Sequence, residues 1–141
     1  MNDDQMMKEI LLSVNTIASV GLSSNPDKES YGVASYLKGQ GYKIVPVNPT
    51  AAEILGEKAY PDLSSIPEKV DVVQVFRKPE DVPPVVEEAI RIGAKAVWMQ
   101  EGIVNEEAAQ KARQAGLQVV MDACMRAMHR RFNIGPKPVG L

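Results

Sequence analysis

The chain has 141 residues, 45% hydrophobic and 24% charged, with a formal net charge of -2. That length predicts one domain, residues 1–141, with enough chain to bury a core. The slight acidic balance argues against neutralising nucleic-acid phosphates as its main work. A lone cysteine excludes an internal disulfide, no basic-then-apolar leader opens the chain, and no apolar run approaches the ~20 residues of a membrane span. A cytoplasmic protein without nucleic-acid or membrane partners is expected.

In "NDDQMMKEILLSV" the residues Met6, Met7, Ile10, Leu11 and Val14 share one helical stripe, with Asn2 or Asp3 as its cap, so residues 1–15 read as an N-terminal helix. Five apolar runs follow: "TIASV" (16–20), "KIVPV" (43–47), "DVVQVF" (71–76), "AVWM" (96–99) and "QVVM" (118–121). Their Val and Ile content and adjacent apolar positions predict strands covered on both faces. Pro46 has no N–H to donate, which predicts a bulge or strand end.

Helix punctuation lies between the runs. Ser30 is the expected cap of a helix through Leu37 that stops at Gly39 or Gly41. Pro83 or Pro84 opens a helix through Ile92, closed by Gly93. Asn105 caps "EEAAQKARQA" with Glu106 and Glu107 in its first turn, and Gly116 ends it. Asp122 is the expected cap of a last helix through Arg131. Thr50 to Glu68 reads as turns with one short helix, and 133–141 as a tail. Strand–helix alternation of this kind predicts an α/β, Rossmann-like three-layer fold: a five-stranded, mostly parallel sheet with helices on both faces. Such sheets bind ligands in the crevice beyond the carboxyl ends of their strands.

Five strand ends can therefore be examined for chemistry. After the first comes "GLSSNPDKES": Gly21 permits a tight turn, while Ser23, Ser24, Asn25 and Ser30 offer polar donors suited to phosphate, or else form a plain surface loop. The nicotinamide-binding spelling G-x-G-x-x-G is missing. After the second, "VNPT" places Asn48 and Pro49 where a dinucleotide fold would usually set Asp or Glu for the ribose, although "NP" is also ordinary turn chemistry. After the third, Phe76 could cover an adenine while Arg77 and Lys78 meet phosphate, or the two cations are a solvated pair beside Glu80 and Asp81. After the fourth, Gln100 and Glu101 precede Gly102, a combination that packing explains poorly. After the fifth, Cys124 and His129 suggest a nucleophile and base. Five helical residues turn the chain by about 500°, leaving them roughly 140° apart, too far for a dyad on one face. One Cys and one His also lack metal-ligand spacing, so His129 reads as a partly exposed helix residue.

The motif order resembles that of small stand-alone CoA-binding proteins, similar to the N-terminal CoA-binding domain of the succinyl-CoA synthetase α subunit. "GYKIVPVNP" and "VWMQEGI" are the most specific stretches, and the likeness runs over almost all of residues 16 to 128. It implies that CoA phosphates lie at Ser23, Ser24 and Asn25, and that the nucleotide touches Asn48, Pro49 and Thr50. It further implies that Gln100, Glu101 and Gly102 stand where the synthetase domain has "TEG". Where that domain carries a lysine beyond the second turn, this chain has Ala51 and Ala52, so Lys28, Arg77 or Lys78 would have to supply the charge. Tyr31, Val47 and Met99 complete the expected contact set. "DAC" aligns with a segment whose cysteine lies near the CoA sulfur, so Cys124 is either close to the pantetheine thiol or a buried structural cysteine. The resemblance implies a CoA or acyl-CoA binding protein without catalytic residues of its own, acting as a homodimer or beside a partner enzyme subunit. An NAD-dependent oxidoreductase on the same kind of sheet is the alternative.

Overall fold

The structure, a computed structural model, describes residues 3–138. Helix α1 (Asp4–Ser13) starts at Asp3, whose carboxylate accepts from the N–H groups of Gln5 and Met6. The other expected cap, Asn2, lies outside the described residues. There follow β1 (Thr16–Val20), α2 (Glu29–Gly39), β2 (Lys43–Val47), a two-residue hairpin of β3 (Glu53–Ile54) and β4 (Glu57–Lys58), and β5 (Val72–Val75). Then come α3 (Val82–Arg91), β6 (Ala96–Met99), α4 (Glu106–Gln114), β7 (Gln118–Val120) and α5 (Met125–Arg131). The main sheet has the order β2-β1-β5-β6-β7 and every neighbouring pair is parallel.

Alternation along the strands explains the three layers. Ile17, Ile44, Val72, Ala96, Trp98 and Val120 point into one apolar layer with residues of α1, α2 and α5. Ala18, Val20, Val73, Val75, Val97, Met99 and Val119 point into the other, beneath α3 and α4. Because the chain leaves β1 toward β2 on one side and reaches β5 on the other, strand order reverses between β1 and β5.

Several expectations are corrected. Pro46 sits inside β2 without a bulge. Since β2 is an edge strand whose Lys43 N–H and Val47 carbonyl face β1, Pro46 faces outward, where no sheet donor is required; its carbonyl accepts from Tyr60 N–H at 3.0 Å. Ser30 does not cap α2. The helix begins two residues earlier, after Lys28, with no side-chain cap, and the Ser30 hydroxyl accepts from Ser23 N–H at 3.1 Å. Asp122 does not cap α5 either: Cys124 holds that position, and Asp122 lies in the left-handed region at φ 55°. Between residues 50 and 68 the small hairpin accompanies the expected short helix, a single turn at Leu63–Ser65. His129, expected to be partly exposed, is 1% exposed. The described part of the tail wraps: Ile134 packs on the core, and Lys137 N–H donates to the Gln40 carbonyl at 2.8 Å.

Candidate functional site

A cleft of about 420 Å³ opens at the carboxyl ends of β5, β6 and β7. Phe76, Arg77 and Lys78, following β5, form one wall; Gln100, Glu101 and Ile103, following β6, form another; Cys124 and Glu29 close it from the starts of α5 and α2. Six of these residues were expected at the site. Glu29 and Ile103 were not, and periodicity marks them only as a helix-start acid and a loop aliphatic. Glu29 also pairs with Arg126 at 2.8 Å, tying α2 to α5 beside the cleft.

The other expected residues support the cleft or stand apart from its walls. Gly21, at φ 87°, follows β1 so closely on Phe76 that an added Cβ would lie 2.6 Å from the Phe76 carbonyl oxygen. Ser23 and Asn25 use their side chains on their own loop, accepting from Asn25 N–H and Asp27 N–H. Ser24, Asn25 and Lys28 are exposed, whereas Ser30 and Tyr31 are half-buried. Asn48 spans two loops: its amide donates to the Leu22 carbonyl at 3.0 Å, and its oxygen accepts from Thr50 and from Ala51 N–H. Pro49 and Thr50 are exposed at that turn. Val47 and Met99 are core, 3% and 0% exposed, so their side chains do not line the cleft. Gly102 is open, with nothing near a built Cβ, and its N–H donates to Asp122 Oδ1 at 2.6 Å. Asp122 N–H in turn donates to the Ile103 carbonyl, so the loops after β6 and β7 are clasped together.

Beneath the cleft runs a buried polar row, of which the sequence reading singled out Gln100 but neither Ser19 nor Gln74. Ser19 Oγ donates to Gln74 Oε1 at 2.7 Å, Gln74 Nε2 donates to Gln100 Oε1 at 3.3 Å, and Met125 N–H donates to the same oxygen at 3.0 Å. Ser19 and Gln74 are register partners in otherwise apolar strands. Those two polar letters inside "TIASV" and "DVVQVF" were the available signal.

Cys124 is half-buried: it lines the cleft and also packs against the core layer beneath it. His129 is elsewhere: its Nδ1 meets Tyr36 Oη at 2.8 Å, and the rings of Tyr36 and Tyr42 stand edge-on to it. Burial pushes its pKa below the usual value; the Gly135 backbone opposes that shift and Lys137 adds to it. Cys124 and His129 therefore form no dyad. Among the described residues no helix is long and apolar enough to cross a membrane.

A parallel sheet with reversed strand order, a cleft at the carboxyl ends of its strands and polar loops around it define a Rossmann-like binding fold. The family of CoA binding domains matches residues 15–130, and the chain belongs to it. Of curated relatives, uncharacterized protein YneT of Bacillus subtilis is 45% identical over 123 residues, covering 87% of this chain and 91% of that protein. The alpha subunit of acetate–CoA ligase [ADP-forming] II of Pyrococcus furiosus is 29% identical over 139 residues, covering 91% of this chain and 30% of the subunit. This chain thus spans less than a third of that subunit. Among solved structures, a hypothetical protein from Pyrococcus horikoshii OT3 superposes with a TM-score of 0.89 at 43% identity, covering 92% of each chain.

Proposed function

We propose that this protein binds coenzyme A or an acyl-CoA in the cleft at the carboxyl ends of β5, β6 and β7, as a binding module and not a catalyst. The carrying observation is the cleft itself. One opening combines two cations (Arg77, Lys78), apolar faces (Phe76, Ile103), amide and carboxylate groups (Gln100, Glu101) and a thiol (Cys124). CoA needs that mixture, having phosphates and an adenine at one end and a pantetheine thiol at the other. In this reading Arg77 and Lys78 face phosphate, supported by the uncapped first turn of α2 and the Ser23–Lys28 loop. Phe76 covers an apolar or aromatic part of the ligand, and the thiol end runs toward Gln100 and Cys124. Glu29 beside Arg126 sets a negative charge near the phosphates, which disfavours a more anionic ligand and lowers affinity.

Chemistry on the bound thioester would then belong to a partner chain or to a separate enzyme receiving the ligand. The P. furiosus relative, named as a ligase subunit, fits that division of labour. The test is to denature purified protein, identify released nucleotide by absorbance and mass, and reload the refolded protein. CoA or an acyl-CoA in stoichiometric amount supports the proposal. A released nicotinamide nucleotide, or protein that neither carries nor rebinds CoA, overturns it.

A further inference from the structure

The buried row beneath the cleft leaves one polar group with an assignment still open. Gln100 is 5% exposed, yet it lines the cleft. Its Oε1 is doubly occupied, by Met125 N–H at 3.0 Å and Gln74 Nε2 at 3.3 Å. A backbone N–H needs an oxygen opposite it, so the amide cannot be flipped. Gln74 is fixed in turn, because Gln100 Oε1 needs a donor opposite it, and the Ser19 hydroxyl then donates to the oxygen of Gln74. Nε2 of Gln100 meets no acceptor among the described residues. The buried side-chain N or O atom left without a partner among them is His129 Nε2, so Gln100 Nε2 is not sealed off. It opens onto the cleft. Three strands and the start of α5 thus hold one amide donor rigidly at the floor, between the wall of Phe76 and the Cys124 thiol.

The geometry points to a carbonyl oxygen as the group this donor receives. A neutral, fixed N–H₂ in a half-apolar floor suits a neutral acceptor, whereas phosphate is better met by the cations after β5. Resting on the CoA proposal, the inference deepens it. Gln100 reads the thiol-bearing arm, through either an amide carbonyl of pantetheine or the carbonyl of an acyl thioester. Gln100 is then a specificity residue for the arm and contributes nothing to the nucleotide end.

Three ligands separate the possibilities in calorimetry: adenosine 3′,5′-bisphosphate, which lacks the arm, CoA, and acetyl-CoA. Gln100→Glu at mildly alkaline pH keeps an oxygen for Met125 N–H and Gln74 while replacing the donor. It should weaken CoA or acetyl-CoA by about tenfold and leave the bisphosphate unchanged. Equal loss for CoA and acetyl-CoA assigns a pantetheine amide, and loss confined to acetyl-CoA assigns the thioester. An independent readout needs no variant: the side-chain amide NMR signals of Gln100 in the wild-type protein should move with the arm-bearing ligands and stay still with the bisphosphate. Unchanged signals with bound CoA and acetyl-CoA, or equal weakening of all three ligands by Gln100→Glu, overturn this inference and leave CoA binding standing. Wild-type protein that binds neither CoA nor acetyl-CoA overturns both.

Discussion

Arg77 is half-buried on the cleft wall, one residue beyond a Phe76 whose carbonyl is packed against Gly21. If it faces phosphate, Arg77→Ala removes a charge-assisted contact worth about 1.5–3 kcal/mol and reduces the salt dependence of CoA binding. Calorimetry at two salt concentrations measures both; unchanged affinity alongside a loss in Lys28→Ala would move the phosphate to the other cation. His129 gives a second residue-scale prediction. Its folded pKa lies below the ordinary 6.5, so as pH falls the unfolded chain takes up the proton first. The stabilisation is fully present above pH 6.5 and is lost as pH drops below it, until the folded imidazole also protonates. Melting temperatures across that range should decline less steeply in His129→Phe than in wild type, and equal slopes would count against this account. That burial was hidden from the sequence. Local periodicity places His129 among Arg126, Arg130 and Arg131, while Tyr36, Tyr42 and the tail, which enclose it, come from distant parts of the chain.

At the scale of elements, the strands were legible because both faces of each are apolar, and the helices because Asn105, Gly93 and Gly116 punctuate them. Asn105 does cap α4, accepting from Ala108 N–H at 2.9 Å. The failures were at caps with long-range alternatives. Ser30 reaches back to Ser23, and Asp122 reaches across to Gly102; no spacing rule sees either partner. The β3–β4 hairpin was missed because two-residue strands carry no period. Two glycines at strand ends now separate by mechanism. Gly21→Ala combines a positive φ with a Cβ 2.6 Å from the Phe76 carbonyl, whereas Gly102→Ala meets open space and pays only backbone strain. Gly102→Ala should cost about 1 kcal/mol and Gly21→Ala distinctly more, with displacement of the Phe76 wall lowering CoA affinity as well. Denaturant unfolding of both variants checks the order, and the reverse order would show that the β1 turn relaxes freely. What ties Gly102 to its surroundings is its N–H bond to Asp122.

For the whole molecule, the fold and family followed from the order of motifs, since loop chemistry at five strand ends survives any error in individual caps. The lining of the cleft was legible where a loop residue faces it directly, as with Phe76, Arg77, Lys78, Gln100, Glu101 and Cys124. It was not legible where a side chain serves a neighbouring loop. Asn48, read as a nucleotide contact or a turn, bridges Leu22 and Thr50 and so shapes the mouth without lining it. A ligand bound only by the folded state stabilises it by mass action, by about 2.7 kcal/mol at a hundred times Kd. The most direct measurement is therefore a melting-temperature titration of the purified, ligand-stripped protein with CoA and, separately, with NAD at equal concentrations. The account predicts a melting temperature that climbs with the logarithm of CoA concentration and scarcely moves with NAD. A rise with NAD equal to or above that with CoA, or no rise with either, would contradict it.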